Sequence, residues 1–371
     1  MKKTYIPVFM ASSLVFTGLI AGCGFGEEEE NVLLDEDEEG MEEQDLTSWE
    51  EGDWSSEEDD LEFDEEDLIE DEEIDEGLDD GAQVERELYL LDDEGMVVPR
   101  SFQLPEEEGV LKQSLEHLVM DGPVTPMLPD GLQPVLPPGT EIQGVDLDED
   151  GTATVDFSND IEEYPEEREE VMLQAVTWTL TQYDSVDKVK FQINGHEQST
   201  MPVAETPVGE GWTRSNGINM EDAGTVDVAA SEAHTLYFAV DGEEGPSYVP
   251  VTRRIEDVNN KVEAIVEELV NGPDLTWNLA SDFVPQTELT SEPELDDGVL
   301  HLQFNEALLN QEDSVSQASL DMLVLSLTEL EEVEDIAIAV DGVEEVKSVA
   351  GEVIAEPVNR NDVSVSGYAD M

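Results

Sequence analysis

The sequence predicts an α+β protein made of two tandem, similar domains. Each is a small β-sheet with two helices packed on one face, in the order β-α-β-β-α-β. Three observations carry this. Leu180–Glu197 (LTQYDSVDKVKFQINGHE) returns without a gap as Leu327–Glu344 (LTELEEVEDIAIAVDGVE), 147 positions on. A fixed long period means one architecture used twice. Within the copies, Val189, Phe191 and Ile193, or Ile336, Ile338 and Val340, alternate and so share one face of a strand. Asn194-Gly195 and Asp341-Gly342 supply the turn that stops each strand. Upstream, apolar residues recur at helical spacing: Leu173, Val176, Leu180 and Tyr183 in one copy, Leu320, Leu323, Val324, Leu327 and Leu330 in the other.

The chain opens with Lys2 and Lys3, then a largely apolar run, Ile6–Ile20. That run is short against the roughly 20 residues a spanning helix needs, so residues 1–22 read as a signal peptide outside the fold. It ends in Leu19-Ile20-Ala21-Gly22-Cys23, which is similar to a bacterial lipobox. Cys23 is the chain's single cysteine, so no intrachain disulfide is available. Residues 23–84 read as a disordered acidic tether. Glu27–Asp80 holds thirty-two acidic residues and no basic one, a density that repels itself and cannot bury a core.

The first domain is expected over residues 85–202. Leu88–Leu91 reads as a strand ended by Asp92-Asp93-Glu94-Gly95, and Glu107–Asp121 as a helix stopped by Gly122-Pro123. Prolines make Pro126–Pro138 a loop. Thr140–Asp146 and Thr152–Phe157 form a hairpin, Glu167–Tyr183 the second helix and Val186–Ile193 the last strand. Residues 203–232, with Pro207 and several glycines, read as a linker that partly docks on a domain. The second domain is expected over 233–347. Its first helix carries a full apolar stripe of Val258, Val262, Ile265, Val266, Leu269 and Val270. Residues 348–371 are polar and read as a loose tail.

The chain has 96 acidic and 14 basic residues, a net charge of −82. With the thirty-two acids of the tether set aside, 64 remain against the same bases, so the folded part is acidic too. That excludes nucleic acid as a partner and disfavours adhesion to anionic lipid by charge alone. Self-repulsion of this size is screened by salt, which points to a salty, extracytoplasmic setting and a halophilic adaptation.

Motifs for chemistry are few. Asp146-x-Asp148-x-Asp150-Gly151 imitates the start of a calcium loop, but its twelfth position is Phe157, and a hairpin turn is the better reading. His117, His196, His234 and His301 show no metal-ligand spacing, and no GxSxG, Walker A or GxGxxG motif occurs. No catalytic, cofactor or metal residue is therefore assigned; the site assigned is Cys23, for lipidation. Tyr89 and Tyr237 fall on the paired first strands. Arg100, and Arg253 or Arg254, follow them, and read first as internal ion pairs and second as partner contacts.

The landmarks also recur in order: Leu88-Tyr89-Leu90 and Leu236-Tyr237-Phe238, the Gly-Pro at 122–123 and 272–273, Pro138-Gly139-Thr140, and Asp150-Gly151 leading to Val155-Asp156-Phe157-Ser158. This pattern resembles the GerMN domain. Two of them behind a lipoprotein signal resemble the GerM-type sporulation and spore-germination lipoproteins, over about Glu85–Lys347. The second copy departs from the pattern at Gln286, where the family's glycine is missing. The resemblance implies a fold like that of ring-building motifs and a diacylglyceryl thioether on Cys23. It also implies a non-catalytic, lipid-anchored assembly role in endospore formation and germination, supporting the complex between mother cell and forespore. The place would be the extracytoplasmic face of the outer forespore membrane, facing the intermembrane space. The partners would be other sporulation envelope proteins, with weak self-association. Two alternatives stand beside it: a peptidoglycan-binding module, which a polar groove lined by Trp and Tyr would favour, and a solute-binding lipoprotein.

Overall fold

The computed structural model describes residues 82–221, 230–242, 245–256, 260–311 and 313–365. The expected signal peptide, Cys23 and nearly all of the expected tether lie outside the described residues, as does the end of the tail.

The first repeat begins with a long antiparallel hairpin, β1 (Gln83–Asp92) and β2 (Val97–Pro105). Then come α1 (Val110–Glu116), β3 (Leu132–Gln133), β4 (Ile142–Leu147), β5 (Thr152–Phe157), α2 (Glu169–Leu180), β6 (Lys188–Ile193) and β7 (His196–Glu197). The second repeat follows the same order, without counterparts of β3 and β7. Hairpin β8 (Ser231–Gly242) and β9 (Gly245–Glu256) is followed by α3 (Lys261–Asn271), β10 (Glu294–Asp296), β11 (Val299–Phe304), α4 (Gln317–Leu327), β12 (Asp335–Val340) and β13 (Val358–Asn359). The sheets run β4-β5-β6-β7 and β10-β11-β12-β13. In each, the strand pair flanking the long helix is parallel and the outer strands are antiparallel.

The class and the duplication are as expected, but the order gains β2 and the two-residue strands β3 and β7 in the first repeat, and β9 and the two-residue strand β13 in the second. The long strand missed in sequence, β2, carries Pro99 and Pro105, which break a strand pattern. It is tolerated because β2 lies at the edge of its sheet, β2-β1-β3. The same holds for Pro250 in β9, half of a two-stranded ribbon. Gln83 and Val84, placed in the tether by composition, pair with Pro105 and Leu104 and belong to β1.

That hairpin changes the layering. As expected, both helices pack on the four-stranded sheet, α1 against β4 and α2 against β6; the β1–β2 hairpin adds a further layer on the other side of α2. Every residue from Met172 to Leu180 is buried, polar ones included, and α4 is buried alike from Ser319 to Leu327. An all-round buried helix shows no amphipathic stripe, only an excess of apolar residues. Its polar side chains fasten the hairpin: Thr179 Oγ1 accepts the Tyr89 N–H at 3.0 Å, and Ser326 Oγ accepts the Tyr237 N–H at 2.9 Å. α1 starts later than expected because Gly109, at φ 86°, stands just before it, and it ends at Glu116 with His117 as its cap.

The turn before each parallel strand repeats almost atom for atom. The Gly151 carbonyl accepts the N–H groups of Asp187 and Lys188 at 2.8 and 3.2 Å; that of Gly298 accepts Glu334 and Asp335 at the same distances. Gly151 has φ 74°, and a Cβ there would stand 2.4 Å from Asp187 Oδ2, so glycine is required. The calcium-loop imitation is this turn: Asp148 Oδ1 accepts the N–H groups of Asp150 and Thr152.

Candidate functional site: the seam between the repeats

The expected linker is mostly structure. Glu169, buried at the start of α2, gathers its first residues: Oε2 accepts the N–H of Val203 and Ala204 and the hydroxyl of Tyr164, and Oε1 the N–H of Thr206. Burial alone would push the Glu169 carboxyl up, but these donors outweigh it and hold it below its ordinary value. Trp212 then joins β6 by a two-way bridge to Val189. A single 3₁₀ turn, Arg214–Asn216, follows, closed by a capping box between Thr213 and Asn216.

The expected loose tail is a second copy of this strap, and that reading is corrected. Val358 pairs with Ile336, the counterpart of Val189. A 3₁₀ turn, Arg360–Asp362, follows with its own capping box from Asn359 to Asp362. Val363 and Val365 are buried. The duplicated unit therefore extends to residue 365.

The two straps deliver two arginines to one carboxylate. Arg214 Nη1 stands 2.7 Å from Glu329 Oε1 and Arg360 Nη1 3.0 Å from the same atom, which also accepts the Tyr237 hydroxyl at 2.9 Å. Arg214 lies over the Trp178 ring at 4.3 Å and Arg360 over the Tyr237 ring at 5.0 Å. Burial would raise the Glu329 carboxyl; the two guanidiniums outweigh it and keep it below its usual value. Burial raises the Tyr237 and Tyr89 hydroxyls well above theirs.

The first strap crosses to the second repeat, while the second strap is bonded to its own repeat. Ile218 bonds Thr252 of β9 through both backbone groups, at 2.8 and 2.9 Å, and Tyr248 of β9 donates to Val365 O. The tail's Val363–Val365 borders a cavity with Ser101 of β2, the counterpart of Thr252. Asn219 ties the hairpins: its side chain accepts from Val97 N and donates to Val97 O and Pro250 O, each at 2.8 Å. The two hairpins are thus joined through β2 and β9, with Asn219 between them. Asn219→Ala is expected to cost about 2–3 kcal/mol, since it leaves β2 and β9 groups unpaired and forces alanine to a positive φ. A melting midpoint within about 2 °C of wild type would show that water takes over these bonds.

The base-poor chain spends its arginines internally. Arg253 bonds Glu221, Glu268 and the Gly272 carbonyl; Arg254 bonds Ser231; Arg100 bonds Ser247 across the seam. Arg100 and Arg253 are not counterparts, however. Strand register sets Arg100 opposite Leu88 and Arg253 opposite His234, which aligns Arg253 with Phe102. The histidines stay apart: His117 Nδ1 meets the Gln113 carbonyl, His234 lies 3.8 Å from Glu232, and His196 and His301 are exposed. Among the described residues no cluster of His, Cys, Asp or Glu is gathered for a metal ion, and no helix is long and apolar enough to cross a membrane.

A family model described as Germane, sporulation and spore germination, matches residues 87–199 and again 235–346. The chain belongs to this family. The spore germination protein GerM of Bacillus subtilis (strain 168) is 42% identical over 282 residues, covering 75% of this chain and 77% of the relative. The solved structure of the tandem GerMN domains of the sporulation protein GerM from Bacillus subtilis superposes with a TM-score of 0.73 at 41% identity. It covers 77% of this chain and all of that one. The Germane match of the second repeat stops at 346, short of the strap that carries Arg360.

Proposed function

We propose that this Germane chain is a non-catalytic, lipid-anchored assembly protein of endospore formation and germination. It works at the complex between mother cell and forespore, on the extracytoplasmic face of the outer forespore membrane, by binding other envelope proteins. The observation that carries the reading is the tandem GerMN architecture, shared over both repeats with a sporulation protein. The seam supports it. Its charged groups are engaged with one another, and Glu329, with three donors on one oxygen, serves as a lock between repeats. The lock makes two domains into one rigid platform. Because the seam groups are engaged within the chain, self-association uses other faces and is weak.

The anchor is Cys23, behind Ala21-Gly22 and the apolar run. Two or more acyl chains hold a protein at a membrane where one does not. Cys23→Ala is expected to move the chain from the membrane to the soluble extracytoplasmic fraction; a variant that fractionates as wild type would remove the anchor from the proposal. Loss of the gene is expected to impair spore formation or germination and leave vegetative growth normal. A null strain that sporulates and germinates normally would end the assembly reading, as would turnover of a wall fragment by the purified chain.

A further inference from the structure

The seam between the repeats holds more hydrogen-bond donors than acceptors. Arg214 and Arg360 share one carboxylate oxygen, Glu329 Oε1. Arg214 spends its Nε on Thr181 and its Nη1 on Glu329, and no described residue accepts from its Nη2. The Tyr89 hydroxyl and the Trp178 Nε1–H are fully buried and have no hydrogen-bond partner among the described residues. The Arg214 guanidinium lies 4.3 Å over the Trp178 ring, and the Trp178 and Tyr89 rings are 5.6 Å apart. The duplicated unit shows what stands between such a tyrosine and such an arginine. In the second repeat the counterparts Tyr237 and Arg360 both donate to an anionic oxygen, Glu329 Oε1. In the first, the position of Glu329 is taken by Gln182, whose amide turns to the Glu87 backbone. Tyr89 and Arg214 thus keep the donors of that arrangement, while the carboxylate belongs to the other repeat.

We propose that one small monovalent anion of the chloride class binds here beside Arg214, with the Tyr89 hydroxyl and Trp178 Nε1–H as its neutral donors. Two guanidiniums against one carboxylate leave one positive charge withdrawn from solvent, which a single negative charge matches. A water molecule would satisfy the two orphaned donors, which are costly when unpaired, but would leave that charge uncompensated. Arg214 borders two cavities of about 740 Å³ each, one of them also lined by Lys188, and these give the anion room and a way in. The other carboxylates lining the cavities, Glu85, Asp184, Asp187, Glu331 and Asp362, are exposed, and Glu87 is half-buried; none bonds either arginine, and water screens the exposed ones. The chain's net charge of −82 opposes the anion at low ionic strength and is screened at high.

The test uses the full chain with ¹⁵N-labelled tryptophan at high, constant ionic strength, sodium gluconate being exchanged stepwise for sodium chloride. The Trp178 indole N–H signal is identified by its loss in Trp178→Phe or, if that variant fails to fold, by elimination with the other tryptophans replaced in turn. Chloride is expected to move that signal saturably and to leave the Trp277 signal where it is. Tyr89→Phe removes a hydroxyl that bonds no described residue, so it is expected to fold. Its apparent affinity for chloride is expected to fall about tenfold, the effect of one hydrogen bond to an ion. Should it fail to fold, a saturable shift at Trp178 in the wild-type chain, with Trp277 unmoved, carries the proposal. The melting midpoint of the wild-type chain is also expected to rise with chloride at constant ionic strength, and that of Tyr89→Phe to rise less. The proposal is overturned if the Trp178 signal does not move, as a bound water would have it, if Trp277 moves with it at similar affinity, or if Tyr89→Phe binds chloride as wild type does.

Discussion

Ending the chain at Lys347 is expected to lower the melting midpoint of the folded region by about 10–20 °C. The segment after that residue looks dispensable by composition and by the extent of the Germane match, yet it supplies β13, the capping box of Asn359 and the Arg360 guanidinium. Removing it exposes apolar surface under Val363 and Val365 and frees the Val358 partner on β12. Each buried valine contributes about 1.5 kcal/mol or more. Arg360 leaves behind a Glu329 carboxylate with one cation instead of two, at a cost of about 1–3 kcal/mol. The sum is about 5 kcal/mol, and for a region of this size each kcal/mol moves the midpoint by about 2–4 °C. Removal of residues 366–371 alone should do nothing comparable. A chain ended at Lys347 that melts with the full-length protein would mean that the strap rides on the second repeat without holding it.

Much of this fold was legible because the repeat at 147 residues is dense where the core is dense. Val189/Ile336, Phe191/Ile338 and Ile193/Val340 gave the central strands, and the glycine turns gave their ends. What escaped follows from how it is stabilised. β2 and β9 are edge strands carrying proline, so their period is broken. The buried sides of α2 and α4 both contact protein, so no polar face marks their orientation. The straps share almost no identity: Trp212-Thr213-Arg214-Ser215-Asn216 and Val358-Asn359-Arg360-Asn361-Asp362 have one residue in common. Capping boxes accept Thr or Asn at one end and Asn or Asp at the other, so geometry survives where letters do not. The remaining signal was an arginine recurring in a chain with few bases. The seam was half visible: Tyr89 and Tyr237 were singled out as counterparts, but Glu329 has Gln182 as its counterpart and is one acid among 96. Gln182 spends its side chain on the Glu87 backbone, so the duplicated position carries charge in one repeat only.

That asymmetry places the seam's carboxylate on Glu329 alone, against the two arginines of the straps. Glu329→Ala leaves Arg214 and Arg360 facing each other, both largely withdrawn from solvent, with no carboxylate between them, and the Tyr237 hydroxyl without its acceptor. Breaking a buried charge pair by removing one partner costs about 3–5 kcal/mol, and here one partner serves two. The expected fall in the midpoint is about 10 °C or more, with the repeats uncoupling before either unfolds. Glu329→Gln keeps an acceptor for Tyr237 and should lose less. The pH dependence gives an independent check. The folded Glu329 carboxyl titrates below its ordinary value of 4.5, because Arg214 and Arg360 outweigh the burial that would raise it. Its stabilisation is therefore complete above that ordinary value and is lost as pH falls through the depressed folded one. The stability gap between wild type and Glu329→Gln should be constant near neutrality and close only in that acid window. Taking the difference between the two chains cancels the relief of self-repulsion that acid brings to every other carboxylate in so acidic a protein. A gap that is small at neutral pH, or that does not change in acid, would show that the two arginines are held by something other than this carboxylate.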